Sequence, residues 1–203
     1  MKIICIGRNY ADHAKELKNE VPTEPVFFLK PDTALLKDNE PFYFPEFTAD
    51  LHYECEVVVK IAKVGKNIQK KFAHKYYEQI SLGIDFTARD LQSKCKEKGL
   101  PWEMAKAFDN SAPLSSVFID KHTVNLNDLK FHLNINGTTV QKGTTKDWIF
   151  HIDQVIAYVS RFMTLKTGDL IFTGTPAGVG PVAIGDRLEG YIGDVKMYEF
   201  EIR

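Results

Sequence analysis

Hydrophobic and polar residues in this chain alternate mostly with a period of two. Lys2-Ile3-Ile4-Cys5-Ile6 reads as a buried strand ending at Gly7. Residues 26–29 form a short apolar strand stopped by Lys30-Pro31, and the Pro- and aromatic-rich stretch to Phe47 reads as irregular edge structure. Residues 53–64 predict the central strand, with Cys55, Val57, Val59 and Ile61 on the face that can enter a core. Residues 80–86 predict another apolar strand. Residues 131–135 and 138–141 flank Asn136-Gly137, the signal of a type I′ hairpin. Further strands are expected at 170–173, 187–192 and 195–202.

Helical spacing is confined to a few places. Ile152, Val155, Ile156, Val159, Phe162 and Met163 recur on one helical face. Residues 90–98 are helix-compatible, with Gly99 suited to C′. Residues 8–17 contain good helix formers and no Gly or Pro, and Pro22 and Pro25 end that helix. No repeat, low-complexity tract or linker interrupts the pattern, which reads as one α+β domain over residues 1–203.

Composition narrows the classes of function. A chain of 203 residues with 44% hydrophobic and 26% charged residues can bury a core of ordinary size. Its formal net charge of −1 offers no basic field for nucleic acid, and no apolar run approaches a membrane span. Three cysteines, an odd number without a Cys-x-x-Cys pair, argue against a disulfide framework or thiolate zinc site and for a reducing, cytoplasmic setting.

The chemistry concentrates in the central strand. In His52-Tyr53-Glu54-Cys55-Glu56, alternation puts Glu54 and Glu56 on one face. Adjacent like charges need compensation, which a hard divalent cation supplies; two solvated glutamates at a strand end are the plain alternative. Asp85, inside the apolar run Gly83-Ile84-Asp85-Phe86, is costly unless paired or ligated and is the natural third carboxylate; capping the following turn is its rival role. His13 and Glu16 sit one helical turn apart, the spacing of a general base with its orienting carboxylate or of a solvated surface pair. Lys106, flanked by Met104, Ala105, Ala107 and Phe108, can be desolvated beside a site or can snorkel to water. The loop from Gly174 to Pro181 lacks a Walker A ending and a dinucleotide fingerprint. It can bring backbone N–H groups and the Thr175 hydroxyl to an anion, or serve as a tight turn.

In order along the chain, Gly7-Arg8-Asn9-Tyr10 with Asp12-His13, Phe28-Leu29-Lys30-Pro31, His52 to Glu56, Asp85 to Asp90, Lys98 to Trp102, Lys106, and Gly174 to Gly180 resemble the fumarylacetoacetate hydrolase family. The likeness is to its small single-domain branch of acylpyruvases and oxaloacetate decarboxylases, without the extra N-terminal domain of larger members. The resemblance implies a mixed β-sheet rolled into a barrel-like core with a few peripheral helices, and a homodimer. It also implies Mg²⁺ or Mn²⁺ on Glu54, Glu56 and Asp85. His13, Glu16 and Lys106 would be catalytic, and Arg8, Tyr10, Gly174 and Thr175 would bind substrate. The implied reaction is cleavage of a short 2-oxo acid through a metal-bound pyruvate enolate, by acylpyruvate hydrolysis or oxaloacetate decarboxylation. His13 would activate water, Lys106 would steady the oxyanion or enolate, and the His13 helix would close as a lid. An isomerase of unsaturated 2-oxo-dicarboxylates is one alternative; a catalytically silent metal-binding dimeric scaffold is another.

Overall fold

The structure is a computed structural model that describes residues 1–17 and 20–203. A six-stranded mixed sheet forms its centre. The order across it is Phe27–Lys30, Ile3–Ile6, Leu170–Phe172, Cys55–Ile61, Tyr77–Ile84 and Ile119–Asp120. Ile3–Ile6 runs parallel to Leu170–Phe172, and the other neighbours are antiparallel. A second, four-stranded antiparallel sheet orders Thr138–Thr144, Lys130–Ile135, Arg187–Ile192 and Val195–Glu201. A small three-stranded sheet joins Gly180–Pro181, Leu51–Tyr53 and Thr87–Ala88. The fold is thus the expected mixed-sheet α+β one, and the sheets remain open rather than closing into a barrel.

Among the described residues five α-helices lie at the periphery: α1 (Ala11–Glu16), α2 (Lys70–Ala73), α3 (Arg89–Lys98), α4 (Glu103–Lys106) and α5 (Ile152–Phe162). α3 ends as its sequence predicts, with Gly99 in the left-handed region at φ +63° and the Leu100 N–H donating to the Cys95 carbonyl at 2.8 Å. In α5, Val155, Ile156 and Val159 are buried, but Phe162 lies outside against Phe27 and Tyr158. The Asn136-Gly137 turn has positive φ at both residues, as a type I′ hairpin requires.

The principal core lies between the two larger sheets. Cys55, Val57, Val59 and Ile61 enter it as alternation predicts and meet Leu133, Leu188, Ile192 and Phe200 from the second sheet. Val58 points the other way, into a smaller cluster with Ile3, Cys5, Leu170 and Phe172. No helix among the described residues is long and apolar enough to cross a membrane.

The central strand is not the continuous one expected over 53–64. It stops at Tyr53 and restarts at Cys55, so Glu54 stands where the chain leaves the three-stranded sheet for the six-stranded one. Opposite that break, Tyr77–Ile84 ends and Asp85 begins the turn to Thr87, with the Asp85 N–H donating to the Glu54 carbonyl at 2.8 Å. Two strand ends therefore deliver two carboxylates to one spot. Glu56 pairs in register with Gly83, where a Cβ would come within 2.7 Å of the Phe172 ring and 2.8 Å of the Pro113 carbonyl. Glycine at 83 thus lets the strands pack tightly beside the site.

Candidate metal centre and its cleft

Glu54, Glu56 and Asp85 are all buried, and one oxygen from each lies within 4.8 Å of the others. Three carboxylates this close must be compensated. Lys106 Nζ lies 2.8 Å from Glu54 Oε2, 2.8 Å from Asp85 Oδ2 and 2.5 Å from Thr87 Oγ1. Arg89 Nη2 donates to Glu54 Oε1 at 2.8 Å, and its Nη1 donates to Gln92 Oε1 at 2.8 Å. Lys30, whose side chain is 0% exposed, places its Nζ 2.8 Å from Asp85 Oδ1 and donates to Ser111 Oγ at 2.9 Å. Three cations thus face three carboxylates.

The charges divide unevenly. Burial alone would raise the Glu54 pKa, but Lys106 and Arg89 outweigh it and hold the carboxyl below its ordinary range. Glu56 has no cation at ion-pair distance among the described residues. Burial, then Asp85 and Glu54, push its pKa well above the ordinary carboxylate value, against one hydrogen bond from the Gly174 N–H at 2.8 Å. Burial works against the Lys106 ammonium, yet Asp85 and Glu54 win and raise its pKa.

A divalent cation fits these residues. The donors are hard carboxylate oxygens; among the described residues Glu56 lacks a counter-charge, and Asp85 Oδ1 is a buried oxygen that accepts no hydrogen bond and has only the Lys30 ion pair. With a cation in place Glu56 would ionise, and its loop contact through Gly174 would hold it ready.

His13 sits in α1 above this cluster, buried, with Nδ1 3.1 Å from Glu16 Oε2. The expected dyad geometry is therefore present. Glu16 also reaches across the fold: its Oε1 accepts from the Gly178 N–H at 3.0 Å, fastening α1 to the glycine-rich loop. The start of α1 is fixed by Asn9, which is buried. Its Nδ2 donates to the Phe150 and Thr173 carbonyls at 3.0 and 2.8 Å, and its Oδ1 accepts from the Phe150 N–H at 2.7 Å. Gly174 follows Thr173 at φ +94°, where a Cβ would come within 2.7 Å of Asn9 Cβ.

The remaining expected site residues fall differently. Arg8 lines the small cleft with His13, Glu54 and Lys106. Tyr10 does not line it; its ring is in the principal core and burial pushes its hydroxyl pKa well up. Lys106 has no N–H left for an oxyanion, since its three donors already meet Glu54, Asp85 and Thr87. Its place is among the clustered carboxylates, neither snorkelling nor left free to donate to a reacting atom. The Gly174 N–H serves Glu56, and the Thr175 hydroxyl donates to the Cys55 carbonyl at 2.9 Å while accepting from Gln141 Nε2 at 2.8 Å. Both brace the strand between the two glutamates, so the Gly174 N–H and the Thr175 hydroxyl are already engaged within the protein.

Lys30 and Arg89, which hold Asp85 and Glu54, were not anticipated as site residues. Lys30 follows an apolar triplet and precedes a proline, a pattern that reads as a strand stop; only its burial reveals it. Arg89 lies in Thr87-Ala88-Arg89-Asp90, which reads as a turn.

Known proteins resemble this chain over nearly its whole length. The family profile described as "Fumarylacetoacetate (FAA) hydrolase C-terminal" matches residues 2–202. The mitochondrial oxaloacetate tautomerase FAHD1 of Mus musculus is 44% identical over 202 residues, covering 99% of this chain and 91% of that protein. A mitochondrial oxaloacetate decarboxylase of Dictyostelium discoideum is 46% identical over 190 residues, covering 93% of this chain and 87% of its own. The crystal structure of fumarylpyruvate hydrolase from Pseudomonas aeruginosa, in complex with Mn²⁺ and pyruvate, superposes with a TM-score of 0.93 at 35% identity. That match covers 100% of this chain and 89% of the hydrolase. The first two relatives are mitochondrial by name, so they lend no support to the cytoplasmic setting expected from the cysteines.

Proposed function

This chain belongs to the fumarylacetoacetate hydrolase family, and from that membership we propose that it is an enzyme acting on oxaloacetate or a closely related short 2-oxo acid. The enolate formed at C2–C3 is the species common to the reactions considered. The observation that carries the reading is the convergence of Glu54, Glu56 and Asp85 beside a cleft lined by Glu54 and by His13, whose Nδ1 meets Glu16. A scaffold that merely bound a cation would need no oriented imidazole beside it.

Mg²⁺ or Mn²⁺, held by the three carboxylates, would draw electron density from a 2-oxo group and make the neighbouring C–H bond acidic. The protein's own residues do the rest. Glu16 holds Nδ1 of His13, which leaves Nε2 to take a proton from C3, and its carboxylate steadies the imidazolium that results. Return of that proton to the C2 oxygen gives the enol, completing a tautomerisation. If instead the bond to the C4 carboxylate breaks, its electrons remain as pyruvate enolate, CO₂ leaves, and a protonated His13 supplies the proton to C3. With an acylpyruvate, His13 would take its proton from a water attacking the distal carbonyl. Lys30, Lys106 and Arg89 keep the ligating carboxylates in place throughout, and α1, fastened by Glu16 to Gly178, excludes water above them.

The two sequence relatives above, at 44% and 46% identity, are named for oxaloacetate, and the structural neighbour at 35% is named for an acylpyruvate, so both substrates are tested. The test is direct. Oxaloacetate and acetylpyruvate are incubated with the purified protein and Mg²⁺, while ultraviolet absorbance follows the keto–enol ratio and lactate dehydrogenase reports pyruvate. Acceleration of either readout, abolished by EDTA, is the expected result. Rates equal to buffer for both substrates would overturn the proposal. The homodimer belongs to the same reading, and sedimentation velocity should give twice the mass of one chain.

A further inference from the structure

The strand that carries Glu56 outruns its neighbour in the six-stranded sheet. Leu170–Phe172 pairs with it only from Lys60 to Val58, and the Thr173 N–H and hydroxyl both reach the Val57 carbonyl, at 3.1 and 2.7 Å. The chain then turns at Gly174, φ +94°, and leaves Cys55 without a ladder partner on that side among the described residues. In a strand the N–H and C=O of one residue point to the same side, so both groups of Cys55 face this gap. Buried backbone groups need partners, and here side chains supply them. Gln141, 2% exposed, comes from Thr138–Thr144 in the second sheet and accepts the Cys55 N–H on Oε1 at 3.0 Å. With Oε1 so engaged, Nε2 donates to Thr175 Oγ1 and to the Pro176 carbonyl, each at 2.8 Å. The Thr175 hydroxyl donates in turn to the Cys55 carbonyl at 2.9 Å. These bonds close a ring through both backbone groups of the one residue that separates Glu54 from Glu56.

We propose that Gln141 is a positioning residue for the metal centre: from the second sheet it holds the backbone at Cys55, and through it the spacing of Glu54 and Glu56. The proposal rests on the assignment of those glutamates, with Asp85, as metal ligands. Gln141 does not line the cleft, so it acts only through the groups it holds. Its bond to Pro176 also anchors the loop that brings the Gly174 N–H to Glu56 and the Gly178 N–H to Glu16. One buried amide thus ties the carboxylate cluster and the His13–Glu16 pair to the second sheet. An apolar side chain at 141 would fill the space but leave the Cys55 N–H bare and the Thr175 hydroxyl free to turn.

Calorimetric titration of Mg²⁺ into the purified protein, with no 2-oxo acid present, tests this. Gln141→Met and Thr175→Val each break the ring, the second with almost no change of shape. Each should weaken Mg²⁺ binding by about 10–100-fold, the usual worth of a group that orients a ligand. Thr175→Ser, which keeps the hydroxyl, should stay within about threefold of wild type. Ser160→Ala controls for lost stability alone. Ser160 is buried in α5, does not line the cleft, and accepts the Ile68 N–H at 2.9 Å. Its loss should lower Tm in EDTA and leave Mg²⁺ affinity within about threefold. If Gln141→Met does not fold, Thr175→Val decides alone. Wild-type affinity in a folded ring-breaking variant, a Thr175→Ser as weak as Thr175→Val, or an equal loss in Ser160→Ala overturns the positioning role and leaves the ligand assignment standing. No Mg²⁺ binding by wild type overturns both.

Discussion

Replacing Lys30 by Met tests the charge balance beneath the site. The Lys30 side chain is fully buried, and its ammonium meets Asp85 Oδ1 at 2.8 Å, Ser111 Oγ at 2.9 Å and the Ser111 carbonyl at 3.0 Å. Methionine fills a similar volume but removes the charge and its hydrogen bonds. Asp85 would keep Lys106 on its other oxygen, yet Oδ1 would be left buried with no partner. Breaking one side of a buried ion pair costs about 3–5 kcal/mol. In a domain of this size each kcal/mol lowers Tm by about 2–4 °C, so the metal-free variant should melt about 6–20 °C below wild type. A divalent cation would restore positive charge beside Asp85, so Mg²⁺ should recover part of the loss. Differential scanning calorimetry of both proteins, with EDTA and with Mg²⁺, reads all four values. A variant as stable as wild type in EDTA would refute the reasoning, because Lys30 would then not be neutralising Asp85.

The remaining predictions use other parts of the site. Glu56→Gln should leave the fold intact, since the neutral amide suits a site that already favours the protonated acid, but should abolish Mg²⁺ binding in a calorimetric titration. If turnover and binding survive Glu56→Gln, the ligand assignment fails. His13→Ala should lower turnover by about 10²–10⁴-fold, the usual worth of a general base, while Mg²⁺ affinity stays within about twofold. Equal loss of metal binding would make His13 structural. A pH series provides the fourth test. The Glu56 pKa in the folded, metal-free protein lies above its unfolded value, so its share of stability is full at low pH and lost as pH rises through the folded value. Metal binding must expel that proton, so the Tm gap between Mg²⁺-loaded and EDTA-treated protein should widen as pH is raised. A gap that narrows would contradict the assignment.

What could be seen in the sequence followed from local periodicity. The faces of strand Cys55–Ile61, helix α5, the Gly99 cap and the Asn136-Gly137 turn each depend on neighbours a few residues apart. The acidic triad was also legible, because two glutamates at alternate positions and an aspartate in an apolar run are costly patterns whatever the fold. Of the groups that compensate those charges, Lys106 stood out by its apolar neighbours, whereas Lys30 and Arg89 did not, because their roles depend on contacts between distant segments. In Phe27–Lys30 the hydropathy order is inverted: Leu29 is 40% exposed while Lys30 is buried, since a lysine paired with Asp85 belongs inside and nothing local says so. The break at Glu54 arises because the chain changes sheets there, which period-two alternation cannot register. Glu16 was placed beside His13 by helical spacing, but its second bond, to Gly178, joins segments 162 residues apart. Nothing in the loop's own sequence reveals that Cys55 and Gln141 engage the Thr175 hydroxyl and that Glu56 engages the Gly174 N–H.

Diffraction from crystals soaked in Mn²⁺, collected for the manganese anomalous signal, tests the central claim most directly. The account predicts one strong peak bounded by carboxylate oxygens of Glu54, Glu56 and Asp85, with His13 above it and coordination positions left for a ligand. A peak elsewhere, or none at this cluster with manganese in excess, would contradict it.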